Sequence, residues 1–463
     1  MVFSSILFLF RFFPAAMLIY FLAPKKLKNP AIFLLSLFFY SWGEPKYFPI
    51  MIASTLCDYF VSLGIETHRS NKKLCRLLLL ISVLFNLGML GFFKYTGFFL
   101  TNLNALLGTS IPLPNITLPI GISFYTFQTM SYTIDVYRGN VKAERNIVDF
   151  TAFVTLFPQL IAGPIVRYSD ISRELKTRVV SLPQVSDGIA LFIMGLGKKV
   201  LIANNIGSLW TELSESMGFS ALSTPLAWMG VAAYTLQIYF DFSGYSLMAI
   251  GMGKIMGFEF PQNFDFPYIS KSFTEFWRRW HMTLGSWFRE YLYFPLGGSR
   301  VKLPRLYFNL FVVWFCTGFW HGASWNFVLW GLYFLVFLIL EKTFLLPHLQ
   351  KSRVLSHIYV LFFLMISWSI FAVTDFGQLG ILLQRMFGIG VAQSAAGNWI
   401  YYLRNYIVTF LIGILFSTPL PWKCYLKIKK YKAAELVILG VILVVSVAYL
   451  VDATYNPFLY FRF

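Results

Sequence analysis

Charged residues are scarce in this chain, and acidic residues are the scarcest of them. Asp, Glu, Lys and Arg make up 13% of the 463 residues, with 20 acidic against 38 basic side chains. Soluble domains carry about 25% charged residues. Together with a hydrophobic content of 57%, this shortage excludes an ordinary soluble domain and predicts an integral membrane protein.

Cysteine is also rare, and alternating strand segments of the barrel type are absent. The four cysteines lack the spacing of metal ligands, so we predict no bound metal. The net charge of +18 would suit nucleic acid, but the basic residues lie between hydrophobic runs. There they orient a membrane protein and meet anionic lipid head groups, so membrane lipid is expected as a partner and nucleic acid is not.

Long apolar runs recur along the whole sequence. Because a bilayer core takes about 20 apolar residues per helix, they predict an all-α polytopic membrane protein with roughly ten to thirteen spans and half-spans. No internal repeat, linker or low-complexity tract divides the chain. We therefore expect a single domain over residues 1–463.

Clusters of basic residues between the runs set the predicted topology, since cytoplasmic loops are enriched in Lys and Arg. The first cluster, Lys25 to Lys28, follows the first helix and places the N-terminus outside. An apolar helix, Ala434–Val451, follows the last cluster and places the C-terminus outside as well. The predicted cytoplasmic clusters cover residues 25–28, 68–76, 167–178 and 423–432.

A 35-residue apolar stretch from Leu306 to Leu340 contains no Asp, Glu, Lys or Arg. A straight helix of that length would extend about 52 Å, well beyond the roughly 30 Å hydrocarbon core. Basic residues flank both ends, so we predict a hairpin that breaks near Gly318, Gly322 and Ser324, with His321 close to the turn. Non-helical backbone at that depth is tolerated only inside protein or beside a cavity, so the turn should face a cavity or tunnel.

His321 is the one histidine of this stretch. An ionisable group inside hydrocarbon is costly and is read as a functional site by default. Histidine is also the side chain best suited to moving a proton near neutral pH. The pattern indicates catalysis inside a membrane, and the competing interpretation is a core histidine bonded to a backbone carbonyl.

Residues 271–298 interleave Trp with Arg at helical spacing and predict one long amphipathic helix. A helix with Trp on one side and Arg on the other normally lies in the membrane interface, so a simple interfacial anchor is an alternative. His281 is placed at the edge of the aromatic face, and Pro295 should end the helix. The predicted aromatic face consists of Phe273, Trp277, Trp280, Leu284, Trp287 and Tyr291.

Several long aromatic strings resemble the alginate O-acetyltransferase branch of the membrane-bound O-acyltransferases. The segment Phe276–Leu284 resembles the signature that carries one family histidine, and Trp320–Gly322 resembles the one that carries the second. The matches extend over the core from about residue 42 to 420, followed by a C-terminal helix and tail at 434–463. The remaining matching strings are Trp287–Arg289, Tyr293–Gly298, Pro119–Gln128, Phe157–Pro164 and Tyr239–Ser246.

This resemblance implies a set of helices around a central tunnel lined by the two histidines. It further implies a multi-pass protein of a bacterial cytoplasmic membrane, with acetyl-CoA as the cytosolic donor and an extracytoplasmic polysaccharide as the final acceptor. A separate SGNH-hydrolase-like O-acetyltransferase is the implied partner outside. Leu247 departs from the branch, which commonly has Asp there, and leaves Asp241 as the nearby acid.

Acyl transfer needs a base for the attacking hydroxyl and a donor for the oxyanion. We assign His321 as the base and His281 as the group that holds or polarises the acyl carbonyl. Arg278 and Arg279 are candidate ligands for the phosphates of coenzyme A, although loop topology alone also explains their charge. The supporting tunnel residues are predicted to be Asp241, Trp277, Trp280, Trp320 and Arg289.

The last residues give a further hypothesis. Phe458, Tyr460 and Phe463 share the spacing of the C-terminal motif of the small partner protein in teichoic-acid D-alanylation. Tyr460 is therefore a candidate transient acyl acceptor. The alternative is an aromatic belt at the membrane interface.

Three classes of function remain open. The first is acyl transfer, in which a D-alanyl transferase that uses a carrier protein is the closest rival to an acetyltransferase. The second is a polysaccharide transporter or exporter, which would predict inverted repeats and midplane ion pairs. The third is a structural scaffold of a cell-wall complex, in which replacement of His321 would leave activity intact.

Overall fold

A computed structural model describes residues 2–161, 163–390 and 399–452. The described residues form helices and connecting loops without a strand, so the prediction of an all-α protein is confirmed. Two compact units divide the chain, one from residues 1–192 and 246–262 and the other from 193–245 and 263–463. The single domain over residues 1–463 stays a prediction.

The first unit contains the helices up to residue 192. Its helices are α1 Phe13–Leu22, α2 Lys28–Gly43, α3 Phe48–Thr67, α4 Lys72–Leu90, α5 Thr96–Leu107, α6 Ile122–Arg138, α7 Ile147–Thr155, α8 Phe157–Leu160 and α9 Tyr168–Thr177. Two long helices, α10 Leu182–Gly197 and α12 Thr224–Ile255, contribute residues to both units.

The second unit contains the two histidines. Its helices are α11 Asn205–Thr211, α13 Phe273–Arg279, α14 Met282–Phe288, α15 Leu303–His321, α16 Trp325–Leu340, α17 Leu346–Leu349, α18 Arg353–Ala372, α19 Phe376–Met386, α20 Trp399–Phe416, α21 Leu420–Ile428 and α22 Lys432–Asp452.

Among the described residues, six helices are long and apolar enough to cross a membrane. These are Phe48–Thr67, Lys72–Leu107, Trp325–Leu349, Arg353–Ala372, Trp399–Phe416 and Lys432–Asp452. The chain is therefore a multi-pass membrane protein. The higher predicted number, which counted half-spans, stays a prediction.

The apolar stretch from Leu306 to Leu340 is a helical hairpin, as its length and flanking charges predict. The first arm, α15, ends at His321, and the second, α16, begins at Trp325. Gly322 between them is extended, with φ −169° and ψ 156°. The break therefore lies where the small residues predict it, and His321 is the last residue of its helix.

Two glycines allow the hairpin arms to approach closely. A Cβ atom on Gly318 would lie 2.3 Å from the backbone oxygen of Phe327, and one on Gly331 would lie 2.3 Å from that of Trp314. Such small residues let helix backbones pack against each other inside a membrane. Gly318 and Gly331 thus fix the spacing of the arm that carries His321.

We expect Gly318→Ala to destabilise the hairpin by about 1–3 kcal/mol, because the added methyl overlaps a backbone atom that has no side-chain freedom to move away. The measurement is the thermal unfolding midpoint of purified protein in detergent. Gly440→Ala in α22 is the matched control, since nothing lies within 4 Å of its Cβ position. Equal midpoints for the two variants would contradict the close approach.

In the first unit, two of the family-like strings touch each other. A Cβ atom on Gly121, which has φ +76°, would lie 2.5 Å from the backbone oxygen of Leu160. Behind them, buried Asp58 accepts hydrogen bonds from Ser82, from Asn86 Nδ2 at 2.7 Å and from Thr133 Oγ1 at 3.0 Å. This carboxylate ties α3 to α4 and α6.

Candidate active site

His321 lies in a cup of aromatic rings at the end of α15. Its ring centroid is 5.0 Å from that of Trp330, 5.1 Å from that of Trp320 and 5.4 Å from that of Phe371, each pair edge to face. Only 8% of the residue is exposed. A buried imidazole in its neutral form can accept a proton from a substrate that enters the site.

His281 lies in a break between α13 and α14, so the prediction of one continuous helix over 271–298 is wrong. Trp280 is extended, with φ −105° and ψ 128°, and His281 adopts the left-handed conformation with φ 44° and ψ 52°. A non-glycine residue in that region is uncommon and strained, and such residues concentrate at functional sites. The predicted aromatic face is therefore divided between two short helices.

A neighbouring loop causes the break by capturing main-chain groups on both sides of it. The N–H of Asp265 donates to the carbonyl of Arg279 at 2.9 Å, and the N–H of Met282 donates to the carbonyl of Asn263 at 2.9 Å. These bonds supply partners that a continuous helix would otherwise provide. Local periodicity carries no information about this loop, which explains the error.

The side chain of His281 is buried, and its two ring nitrogens differ. Nδ1 lies 3.1 Å from Oδ1 of Asn263, whereas Nε2 is buried without a hydrogen-bond partner. The ring of Phe242 meets the imidazole edge to face at 4.7 Å. His281 lies outside the six candidate membrane spans. Burial lowers the pKa of its imidazole to about 3.

Trp320 joins the two histidines in space. Its indole centroid lies 6.2 Å from the ring of His281 and 5.1 Å from that of His321. The structure therefore brings both predicted catalytic histidines, and the predicted supporting residue Trp320, into one buried cluster. We call Trp320, His281, His321 and the rings in contact with them the histidine cluster.

Glu341 anchors the arm that carries His281. Its buried carboxylate accepts from the N–H groups of Phe273 at 2.6 Å and Thr274 at 2.8 Å, and from the Thr274 hydroxyl at 2.7 Å. An acid at a helix N-terminus satisfies unpaired N–H groups and opposes the positive end of the helix dipole. Glu341 thus fixes the start of α13 two turns before His281.

Asp241 forms a buried ion pair with Lys199. Its Oδ1 lies 2.5 Å from Nζ of Lys199, with both side chains at most 3% exposed. The same ammonium donates to Oδ1 of Asn204 at 2.9 Å. Asp241 is next to Phe242, whose ring contacts His281, so the ion pair helps to hold the helix segment behind the cluster.

The other tunnel candidates divide into two groups. Trp277 contacts Trp330 at 5.5 Å, and Trp280 contacts Trp368 at 5.0 Å, so both belong to the aromatic packing around the cluster. Arg289 is exposed and lies 4.0 Å from the carboxylate of Glu290. It is therefore outside the buried histidine cluster.

The two candidate ligands for coenzyme A, Arg278 and Arg279, have different surroundings. Arg278 is exposed. Arg279 already pairs with Asp265 at 2.8 Å and with Glu275 at 3.0 Å, which gives its guanidinium a role in holding the loop next to His281. Tyr460, the proposed acyl acceptor, lies outside the described residues.

Sequence reasoning missed four residues that shape this site. Lys199 could have been recognised as a cation inside an apolar run, and Glu341 as an acid at the end of one. Asn263 gave no local signal, because it meets His281 only through the loop described above. Trp330 is 1% exposed and has an indole N–H without a hydrogen-bond partner beside His321.

Comparison with known proteins identifies the family of this chain. Residues 140–374, which include both histidines, match the sequence profile of MBOAT, the membrane-bound O-acyltransferase family. A probable alginate O-acetylase, AlgI, of Azotobacter vinelandii is 38% identical over 91% of this chain and 87% of its own length. The chain belongs to the membrane-bound O-acyltransferase family.

Two further relatives show the breadth of this membrane-bound O-acyltransferase group. The peptidoglycan O-acetyltransferase of Helicobacter pylori is 36% identical over 84% of this chain and 80% of its own. The teichoic acid D-alanyltransferase of Bacillus subtilis is 28% identical over 48% of this chain and 58% of its own. As a membrane-bound O-acyltransferase, the protein is an enzyme that transfers acyl groups.

Proposed function

We propose that this enzyme O-acetylates an extracytoplasmic polysaccharide with acetyl-CoA as the cytosolic donor. The histidine cluster carries the proposal, since it gathers two buried imidazoles around one indole. The relatives that match over most of the chain are named for acetyl transfer to alginate or peptidoglycan. The chemistry of the cluster suits a thioester donor and a hydroxyl acceptor.

In the proposed reaction, His321 removes the proton of the attacking hydroxyl. The hydroxyl oxygen bonds to the acyl carbon, the carbon–sulfur bond of the thioester breaks, and the imidazolium returns the proton to the departing thiolate. The products are an ester and free coenzyme A thiol. A base within hydrogen-bond reach of the hydroxyl accelerates such a step by about 10²–10⁴-fold.

The oxyanion formed on the way needs a hydrogen-bond donor. Trp330 supports this role, because its buried indole N–H has no partner and its ring contacts His321. A donor whose hydrogen bond is made only in the transition state lowers the barrier without tightening ground-state binding. We therefore add Trp330 to the proposed catalytic groups.

We further propose that the acyl group crosses the membrane through a tunnel lined by the cluster. In this arrangement both termini are extracytoplasmic, the protein lies in the cytoplasmic membrane of a bacterium, and ten to thirteen spans and half-spans surround the tunnel. An SGNH-hydrolase-like transferase outside receives the acetyl group and delivers it to the polymer. The basic loops Lys25–Lys28 and Arg167–Arg178 then face the cytosolic donor.

The experiment uses inside-out membrane vesicles that carry the enzyme and hold its envelope polymer in the lumen, with radiolabelled acetyl-CoA added outside, on the cytosolic face. We expect base-labile label on the polymer. D-alanyl transfer is the second candidate, supported by the similarity over about half of the chain. Label that enters the polymer from D-alanyl carrier protein, and not from acetyl-CoA, would reject the acetyl donor.

Tyr460→Phe tests the proposed relay, because it removes the hydroxyl and keeps the aromatic ring. We expect it to abolish polymer acetylation in the vesicles while acetyl-CoA still binds. Tyr449→Phe is the matched control, since Tyr449 is an exposed tyrosine of α22, eleven residues earlier in the sequence. Unchanged acetylation by the Tyr460 variant would rule out the relay hypothesis and favour the alternative of an aromatic belt at the membrane interface.

A further inference from the structure

The hydrogen bonds around Asn263 determine where the proton on His281 lies. Oδ1 of Asn263 accepts from the Thr283 hydroxyl at 2.9 Å and from the Thr283 N–H at 3.3 Å. A backbone N–H can only donate, so the side-chain atom facing it is the carboxamide oxygen and not the nitrogen. That oxygen also faces Nδ1 of His281 at 3.1 Å. Nδ1 must therefore carry the hydrogen.

A neutral imidazole carries one N–H hydrogen, on either Nδ1 or Nε2. Burial lowers the pKa of His281 to about 3, so near neutral pH the ring is uncharged and protonated on one nitrogen alone. With Nδ1–H bonded to Asn263, Nε2 presents a lone pair. This atom is buried and has no hydrogen-bond partner. A buried acceptor left in that state is costly unless something supplies a hydrogen to it.

Within the part of the chain that the structure describes, the side chains in contact with the His281 ring are uncharged. Phe242 of α12 and Trp320 of α15 contact the ring, and Asn263 contacts Nδ1. The nearest titratable groups along these elements are engaged elsewhere, with Asp265 paired to Arg279 and Asp241 paired to Lys199. His321 lies on the other side of Trp320. The state of His281 is thus set by burial and by Asn263.

We propose that Asn263 is a positioning residue that holds His281 in the Nδ1–H tautomer, so that Nε2 accepts a hydrogen bond from an N–H or O–H of the bound substrates other than the attacking hydroxyl, whose single hydrogen goes to His321. This inference rests on the proposed acyl transfer for the identity of the substrates. It replaces the predicted role of His281 as the group that polarises the acyl carbonyl, because an unprotonated Nε2 has no hydrogen to donate. His281 orients the bound substrate, and His321 removes the proton of the attacking hydroxyl.

The backbone supports the same arrangement. Asn263 also accepts the N–H of Met282 through its own carbonyl, at 2.9 Å, so it bonds to the chain directly after His281 as well as to the ring. His281 is held in the left-handed conformation between these bonds. Strain kept at one residue by surrounding hydrogen bonds is a means of fixing a side chain before substrate arrives.

The direct test is ¹⁵N NMR of purified full-length protein labelled at its five histidines, with His281→Gln used to assign the His281 signals. We expect a protonated Nδ1 and an unprotonated Nε2 at pH 7. An Nε2–H signal would overturn the proposal. This readout needs no turnover, so it stands or fails separately from acetyl transfer measured on the same sample.

Variants test whether the tautomer matters for the reaction. Asn263→Leu should lose the single tautomer and lower kcat by about 10²-fold, a typical loss for a misplaced catalytic group. Thr283→Val is the matched control, because it removes a hydrogen bond to the same Oδ1 but keeps the one from Nδ1. We expect Thr283→Val to keep both the tautomer and most of the activity. An equal loss of kcat in both variants would contradict the proposal and show that Asn263 has only a structural role.

Asn263→Asp keeps an acceptor for Nδ1–H and adds a negative charge, so it remains informative if the Leu variant does not fold. A carboxylate beside the ring stabilises imidazolium and raises the pKa of His281. Protonation then blocks Nε2 as pH falls through the raised pKa. We expect an acidic limb in the kcat/KM profile in addition to the one that protonation of the base His321 produces in the wild type. A pH profile identical to wild type would contradict the proposal.

Discussion

Replacing His321 by Gln should lower the rate of acetyl ester formation by about 10²–10⁴-fold, the contribution typical of a positioned general base. Gln keeps a polar side chain of similar size but cannot accept a proton. His321 is also the last residue of α15, next to the extended Gly322, so the substitution requires no new backbone conformation. The measurement is the initial rate in membrane vesicles with radiolabelled acetyl-CoA.

Two exposed histidines provide controls for this prediction. His348 and His357 are exposed and bond only to backbone carbonyls in the described contacts, at 2.8 and 2.5 Å. Their Gln variants should retain full activity. The His321 variant should also unfold at the wild-type temperature. A full rate in that variant would favour the scaffold interpretation over catalysis.

Lys199→Met should destabilise the protein by about 3–5 kcal/mol, the usual cost of leaving one partner of a buried ion pair uncompensated. Asp241 is at most 3% exposed and depends on the ammonium 2.5 Å away. Asn204 would lose the same donor. Expression level and the thermal unfolding midpoint in detergent measure the effect, and activity should fall with the folded fraction.

A double variant separates stability from chemistry at this pair. Lys199→Met with Asp241→Leu removes both charges and should restore the unfolding midpoint, since apolar replacements of a buried pair are often neutral or stabilising. If Asp241 only supports the helix behind His281, activity returns as well. A stable but inactive double variant would instead show that the carboxylate takes part in the reaction.

Much of the second unit could be predicted from the sequence. The hairpin was predictable because 35 residues without charge exceed the bilayer thickness and because glycines mark the turn. The family resemblance predicted that His281 and His321 line one tunnel, and in the structure both rings contact Trp320. The hairpin could be predicted from local sequence features, and the pairing of the histidines from long sequence motifs.

The rest depends on contacts between distant segments. The break at His281 arises because Asn263 and Asp265 bond to the main chain on either side of it, and nothing in residues 271–298 encodes that loop. The partner of Asp241 is 42 residues earlier, on the segment that continues α10. Helical periodicity cannot reveal which side chain of another helix will neutralise a buried charge.

These contacts change how the two histidines are understood. They were expected to be a base and a group that holds or polarises the acyl carbonyl, yet the hydrogen bonds give His281 an acceptor nitrogen, and a buried indole N–H without a hydrogen-bond partner, that of Trp330, lies beside His321. Division of labour between neighbouring groups with different environments is common in acid–base catalysis. Here the environment of His281 is set by one carboxamide.

The central claim is that the histidine cluster transfers acyl groups from a thioester. The most direct measurement is the release of free coenzyme A thiol from acetyl-CoA by purified protein in lipid nanodiscs, with the outer transferase and a polysaccharide acceptor present. We predict release by the wild type, loss of release in His321→Gln and retention in His348→Gln. Release that continues unchanged in a folded His321→Gln variant would contradict the account.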